Sequence, residues 1–165
     1  MTLVHPDSPD AWAAARRLVE AYAASLGVDL GFQDFEREMA SLTEVYGPPD
    51  GCFLLAAEDG GYVGCGALRR FSESACELKR LYVAPEQRGS GAGRRIAQAL
   101  IARARARGYQ AVLLDTLPSM VEAQRMYAAL GFAPAPPYRY NPVPGASYWR
   151  LDLRQIDQNR PGGER

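Results

Sequence analysis

The sequence predicts an α/β (α+β) domain with a central, mixed but mostly antiparallel twisted sheet flanked by helices. Three observations predict it. Consecutive strand signals at Cys52–Ala57, Tyr62–Arg70 and Ala75–Val83 have short connections, as in an antiparallel meander. The period then changes to helical from Gly91 to Arg107, with Ile96, Ala97, Leu100, Ile101 and Ala104 on one stripe. An apolar run, Ala111–Asp115, follows. Strand, crossover helix and strand imply one parallel pair in the sheet.

The remaining elements follow from local signals. Leu3-Val4-His5 reads as a short first strand ended by Pro6. Asp10 to Leu26 is Ala-rich and helical, with Gly27 as its stop. Gly31 to Tyr46 reads as a second helical region, with Phe32, Phe35 and Met39 on one face. Asp59-Gly60-Gly61 is a hairpin turn. Ser119 to Leu130 is a helix with a Ser119-x-x-Glu122 capping box and Gly131 at C′. Phe132 to Gly145, rich in Pro and Tyr, reads as a loop, and Ser147 to Leu153 as the last strand. One domain spans 1–153, and 154–165 reads as a polar tail.

Composition narrows the function. The 165 residues include three Cys without a CxxC pair and one His, which argues against a disulfide scaffold and a Cys/His metal site. No metal is expected, and the counts fit a reducing cytoplasmic setting. Nothing at the start resembles a signal peptide, and no stretch is long and apolar enough to span a membrane. Net charge is zero, which argues against general nucleic-acid binding. The distribution is uneven: residues 1–87 hold 7 basic and 14 acidic side chains, residues 88–165 hold 12 and 5. A basic second half leaves room for one anionic ligand.

The informative stretch runs from Glu77 to Arg95. A strand enters a turn with Gly89, Gly91 and Gly93, which opens a helix. Glycines permit left-handed backbone and close approach. First-turn amides have no internal partners and sit at the positive end of the helix dipole, which suits a phosphate. Arg94 and Arg95 fall where the dipole disfavours cations. A bound polyanion offsets that penalty, although a tight turn on a solvated basic helix has the same pattern. No GK[ST] follows, so this is not a Walker loop, and Arg94 stands where a dinucleotide fingerprint needs its third Gly.

Arg88-x-x-Gly91-x-Gly93 resembles the acyl-CoA pyrophosphate motif, R/Q-x-x-G-x-G/A, of the GCN5-related N-acetyltransferase (GNAT) superfamily. Leu81-Tyr82-Val83-Ala84-Pro85 resembles the strand before that motif, and Ala123-x-x-Met126-Tyr127-x-x-Leu130-Gly131-Phe132 the family's A-x-x-L-Y-x-x-x-G-F helix. The resemblance covers residues 1–153 and implies a GNAT fold whose parallel strands splay to bind acyl-CoA. It implies acetyl transfer from acetyl-CoA, as co-substrate, to a primary amine by direct attack in a ternary complex. Leu81, Tyr82 and Val83 are then cofactor-binding, with the Val83 amide as oxyanion donor. Arg88, Gly89, Ser90, Gly91, Ala92, Gly93 and Arg94 are expected to hold the pyrophosphate. Tyr127 stands at the family's general-acid position, though Ala123, Met126, Tyr127 and Leu130 also form a core stripe. Glu77 matches the base glutamate of the histone-acetylating branch; a pair with Arg69 or Arg70 explains it equally. Met120 replaces the Asn that many members carry seven residues before the Tyr.

The acceptor, a small-molecule or peptide amine, is expected near residues 22–46 and 135–147, with Arg70, Tyr138, Tyr140 and Asn141 as candidate contacts. Many members form homodimers, but the sequence marks no interface. Two alternatives carry other predictions: an acyl-CoA sensor without catalysis, and a phosphate-binding turn unrelated to CoA. Cys52, Cys65 and Cys76 each sit in a strand signal without a His partner and read as core.

Overall fold

The computed structural model describes residues 1–154, so all but the first residue of the expected tail lies outside the described residues. The elements are β1 (Thr2–Val4), α1 (Pro9–Leu26), α2 (Phe35–Ala40), α3 (Leu42–Tyr46), β2 (Cys52–Glu58), β3 (Gly61–Arg70), β4 (Ala75–Val83), α4 (Ala92–Ala106), β5 (Ala111–Thr116), α5 (Val121–Ala129), β6 (Ala133–Ala135) and β7 (Ser147–Asp152). The strands form one sheet in the order β1-β2-β3-β4-β5-β7-β6. Among the described residues only β4 and β5 pair in parallel; every other neighbour is antiparallel.

Each face of the sheet carries its own core. On one face α1 lays Ala11, Ala15 and Val19 against Phe53, Leu55, Cys65 and Ala67. Ser8 caps that helix, its hydroxyl accepting from the Ala11 amide at 3.2 Å, and Gly27 ends it in the left-handed conformation at φ 64°. On the other face α4 buries Ile96, Ala97, Leu100, Ile101 and Ala104 with Leu54, Leu68, Leu78, Val112 and Leu114. The helix seats closely because β3 carries Gly66, where an added Cβ would lie 2.6 Å from Ile96 and 2.9 Å from Leu100. All three cysteines are free and buried. Burial pushes the Cys65 and Cys76 thiols up to about 12, which fits core packing rather than nucleophilic use.

Three local expectations are corrected. The helical region 31–46 is a 3-10 turn followed by two short helices. Asp34 adopts φ 56°, and Ser41, at φ −141°, bonds its hydroxyl to the Arg37 carbonyl at 3.1 Å. Both residue types offer the backbone local alternatives to a continuous helix. Ser119 does not cap α5: Met120 is the N-cap, without a side-chain cap bond. Its C-terminus matches expectation. Phe132 N–H reaches Tyr127 C=O at 3.0 Å and Gly131 N–H reaches Ala128 C=O at 3.1 Å, a Schellman closure with Tyr127 and Phe132 in ring contact. Finally, the segment read as a loop from 132 contains β6, which pairs with β7. Pro134 is tolerated there because β6 is the sheet's edge.

One irregularity shapes the site. Between Cys65 and Ala67 of β3, the partner strand β4 advances from Tyr82 to Lys79, so β4 carries an extra residue. Arg80 sits in this bulge with φ 59°, a conformation that costs a non-glycine residue about 1–2 kcal/mol. Its side chain is fixed from α2. Arg80 Nε donates to Glu38 Oε1 at 2.9 Å, Arg80 Nη2 pairs with Glu38 Oε2, and the Tyr46 hydroxyl also donates to Glu38. Tyr22 and Phe35 flank the guanidinium. Burial alone would raise the Glu38 pKa, but the Arg80 bonds and charge hold it below the ordinary value.

Removing one member of a buried pair strands the other, at a cost of about 3–5 kcal/mol. Glu38→Ala is therefore expected to lower the urea midpoint by that equivalent. A loss below about 1 kcal/mol would show that the pair does not hold the bulge.

Candidate functional site

The parallel pairing of β4 and β5 stops at Glu77 opposite Leu113. Beyond it β4 remains paired with β3 as far as Val83, while the edge facing β5 has no partner strand among the described residues. A cavity of about 440 Å³ fills the divergence. Its walls include Tyr22 from α1, Lys79 to Val83 from β4, Asp115 from β5, Met120, and Tyr127 from α5. Leu81, Tyr82, Val83 and Arg88 all border the cleft. The turn residues 89–94 lie next along the chain, outside the cavity lining.

That turn is built from its glycines. Gly89 and Gly91 take φ 82° and 84°, and Gly91 is the N-cap of α4. The amides of Gly89, Gly91, Gly93 and Arg94 meet no acceptor among the described residues. Ser90 plays a local part: its hydroxyl bonds the Gln87 carbonyl at 2.7 Å and accepts from the Ala92 amide at 3.3 Å. Arg88 donates from Nε to the Val83 carbonyl at 3.1 Å and lies over the Tyr82 ring, which ties the turn to the cleft. Four unpaired donors at a helix start, beside exposed Arg88 and Arg94, could hold phosphate oxygens.

Tyr127 is 5% exposed and its side chain borders the cavity. Burial, then the charges of Tyr22 and Asp115, pushes its hydroxyl far above 10, so it stays protonated throughout the working range. Met120, at the family's Asn position, borders the same cavity, and its sulfur accepts from the Leu117 amide at 3.5 Å.

Glu77 does not line the cavity and is fully buried. Oε1 accepts from Arg69 Nε at 2.9 Å and Arg139 Nη2 at 3.0 Å; Oε2 accepts from the Tyr138 hydroxyl at 2.7 Å. Arg139 Nε lies 2.9 Å from Oε2 but is poorly aligned for a hydrogen bond, so it is a charge contact only. Lys79 Nζ is 4.0 Å from Oε1. Burial would raise this carboxylate, but Lys79, Arg69, Arg139 and Tyr138 together hold it below 4.5. Of the expected partners, Arg69 pairs with Glu77, whereas Arg70 points to Asp50 at 3.7 Å on the surface. Tyr138 belongs to the Glu77 cluster, Tyr140 is 75% exposed, and Asn141 donates to Asp115 Oδ2 at 3.0 Å.

Among the cavity residues that sequence reasoning did not single out are two with ionisable side chains, Asp115 and Lys79. Asp115 ends an apolar strand, and an acid there was a signal in itself. Lys79 is the chain's single lysine, and burial lowers its pKa to about 8 against the support of Glu77. Among the described residues no group of His, Cys, Asp and Glu could hold a metal, and no helix is long and apolar enough to cross a membrane.

A mixed sheet split at one parallel pair, with unpaired amides and arginines at the turn that follows, could hold an extended phosphate-bearing ligand between strands. The family is now plain: residues 14–132 match the model of the acetyltransferase (GNAT) family, and the chain belongs to it. An uncharacterized N-acetyltransferase of Schizosaccharomyces pombe is 39% identical over 140 residues, covering 84% of this chain and 86% of that one. An acetyltransferase from Streptococcus agalactiae has the same fold, with a TM-score of 0.75 at 19% identity over 92% of this chain and 98% of that one. The yncA protein of Salmonella typhimurium, solved with its cofactor acetyl-CoA, aligns at a TM-score of 0.66 and 20% identity, covering 100% and 98%.

Glu77 makes acid stability testable. A carboxylate held low in the fold contributes stability above its unfolded value, lost as pH falls through the folded one. Glu77→Gln is therefore expected to be less stable than wild type at pH 7, with the gap closing as pH drops below 4.5. Thermal midpoints across the acid range read this directly, and a pH-independent gap would contradict it.

Proposed function

We propose that this acetyltransferase is an N-acetyltransferase that moves acetyl from acetyl-CoA to a primary amine by direct attack in a ternary complex. The observation that carries the reading is the unpaired edge of β4 leading into four unpaired amides at the start of α4. The similarity to an N-acetyltransferase supports transfer to nitrogen. Acetyl-CoA supplies an activated thioester. The free edge of β4 at Leu81 and Val83 suits the amides of an extended pantetheine, and the cradle from Gly89 to Arg94 suits the pyrophosphate.

The residues then divide the work. The Val83 amide donates to the thioester oxygen as negative charge builds there. The amine nitrogen bonds to the carbonyl carbon, the carbon–sulfur bond breaks, and the sulfur takes a proton from Tyr127. Solvent in the open cleft reprotonates Tyr127 and removes the proton lost by the amine. Glu77 is poorly suited to be the base, because its oxygens are occupied and its pKa is lowered. Its surroundings favour a positioning role, holding Arg139 and Tyr138 against β4. A sensor without chemistry would have no use for a protonated tyrosine beside the cleft.

Acetyl-CoA, but not ATP, is expected to raise the thermal midpoint; at about 100 times Kd the gain is about 2.7 kcal/mol. No response to acetyl-CoA or CoA would reject the assignment. Tyr127→Phe should keep that response while kcat for thiol release falls about 10²-fold. Unchanged kcat would remove Tyr127 from the acid role.

A further inference from the structure

Among the described residues two carboxylates border the cavity, Asp115 and Glu122, and Glu122 is exposed and paired with Arg125 at 2.9 Å. Residues 111, 113 and 115 alternate onto the sheet face opposite α4 and α5, where Ala111 and Leu113 pack beneath Tyr138. On that face Asp115 is half-buried, borders the cavity and lies opposite Tyr148 of β7 in register. Its orientation is set from the β6–β7 loop. Asn141 Nδ2 donates to Oδ2 at 3.0 Å, and Asn141 Oδ1 accepts from the Val143 amide at 3.0 Å, which fixes the sense of the amide. Oδ1 of Asp115 has no hydrogen-bond partner among the described residues. The charge of Asp115 bears on Tyr22, Tyr127, Tyr138 and Tyr148, and supports the charge of Lys79.

A carboxylate with one oxygen pinned and one open to a cavity is arranged to accept from a ligand. The walls include three aromatic rings, Tyr22, Tyr82 and Tyr127, and three cations, of which Lys79 lies 4.0 Å from Glu77, Arg80 is paired with Glu38 and Arg88 is exposed on the Val83 carbonyl. Aromatic faces and a carboxylate together favour a cation on an apolar stem. Glu77, on the same face two strand positions earlier, cannot take that part, because its oxygens are already engaged.

We propose that Asp115 binds the acceptor, its open oxygen taking the ammonium of a cationic primary amine with an apolar stem, while Asn141 positions the carboxylate. This rests on the N-acetyltransferase reading above. The binding places the nitrogen in the cavity that Tyr127 also borders, where the ammonium first gives one proton to solvent in the open cleft so that the neutral amine attacks, and makes Asp115 a determinant of acceptor choice rather than of cofactor affinity.

The test uses the full chain with acetyl-CoA and two probe amines, phenethylamine and 1,5-diaminopentane, followed by thiol release. With the better probe, Asp115→Asn is expected to raise the acceptor KM about 10- to 100-fold, the loss of one charge-assisted bond. Its acetyl-CoA KM should stay within about twofold. Asn141→Ala, which leaves the carboxylate but frees it, should raise the acceptor KM less and in the same direction. An unchanged acceptor KM in Asp115→Asn overturns the proposal, as does a rise in the acetyl-CoA KM of equal size. Should Asp115→Asn fail to fold, Asn141→Ala decides by the same split. Acetyl-CoA binding without turnover of either amine also overturns it and leaves the cofactor reading standing. No acetyl-CoA binding overturns the reading beneath it.

Discussion

The cleft depends on one backbone distortion and the ion pair that holds it. Arg80 is placed in left-handed backbone in the middle of a strand, where an arginine has no intrinsic reason to be. The bulge gives β4 one residue more than β3 needs, and β4 parts from β5 within three residues of it. A ladder continued from Glu77 to Val83 would fill the cleft with strand-to-strand hydrogen bonds and leave no edge to offer a ligand. Glu38 makes the distortion persist. Its bonds to Arg80 satisfy a buried guanidinium, and its position on α2 ties the short helices at 35–46 to the strand that lines the cavity. The covering helices and the cleft therefore share one buried charge pair.

Two carboxylates on one sheet face show how surroundings decide a residue's work. Glu77 lies where the two strands are still paired, and is enclosed by Arg69, Lys79, Arg139 and Tyr138. Asp115 lies two residues beyond the last pair, where the strands have opened, and borders the cavity with one oxygen that has no hydrogen-bond partner among the described residues. Both receive a partner from the loop between β6 and β7: Arg139 and Tyr138 for Glu77, Asn141 for Asp115. That loop is rich in proline, and its fixed end at Tyr148 bonds the Arg139 carbonyl at 3.0 Å. Its charged and polar groups thus fasten it across the mouth of the divergence.

Much of this was legible in the chain, for physical reasons. Strong periodicity marked α1, α4 and the meander, and the glycines at 89 and 91 marked backbone that takes positive φ. Tyr127 and Val83 could be placed because their motif fixes their distance from that turn. What stayed hidden depends on contacts far apart in sequence. Glu38 and Arg80 are 42 residues apart, and a glutamate in a polar helix looks solvated until its partner is known. Glu77 and Arg139 are 62 apart, so the same glutamate reads as base or as ion-pair partner. The three residues of β6 are too few for any period, and Ser119 satisfied a cap pattern that the backbone at Met120 took instead.

The uneven charge of the two halves has its explanation in these pairs. Acids of the first half find cations largely within it or in the loop at 139: Glu38 with Arg80, Asp50 with Arg70, Glu77 with Arg69 and Arg139. The six arginines from 88 to 107 form no ion pair among the described residues. Arg103 and Arg105 are at the C-terminal end of α4, where the dipole favours them. Arg88 and Arg94 are at the other end, where it does not, beside amides that also lack acceptors. Among the described residues no carboxylate offsets those cations and no acceptor meets those amides, and a multiply charged anion would relieve the cations, the dipole and the free amides at once.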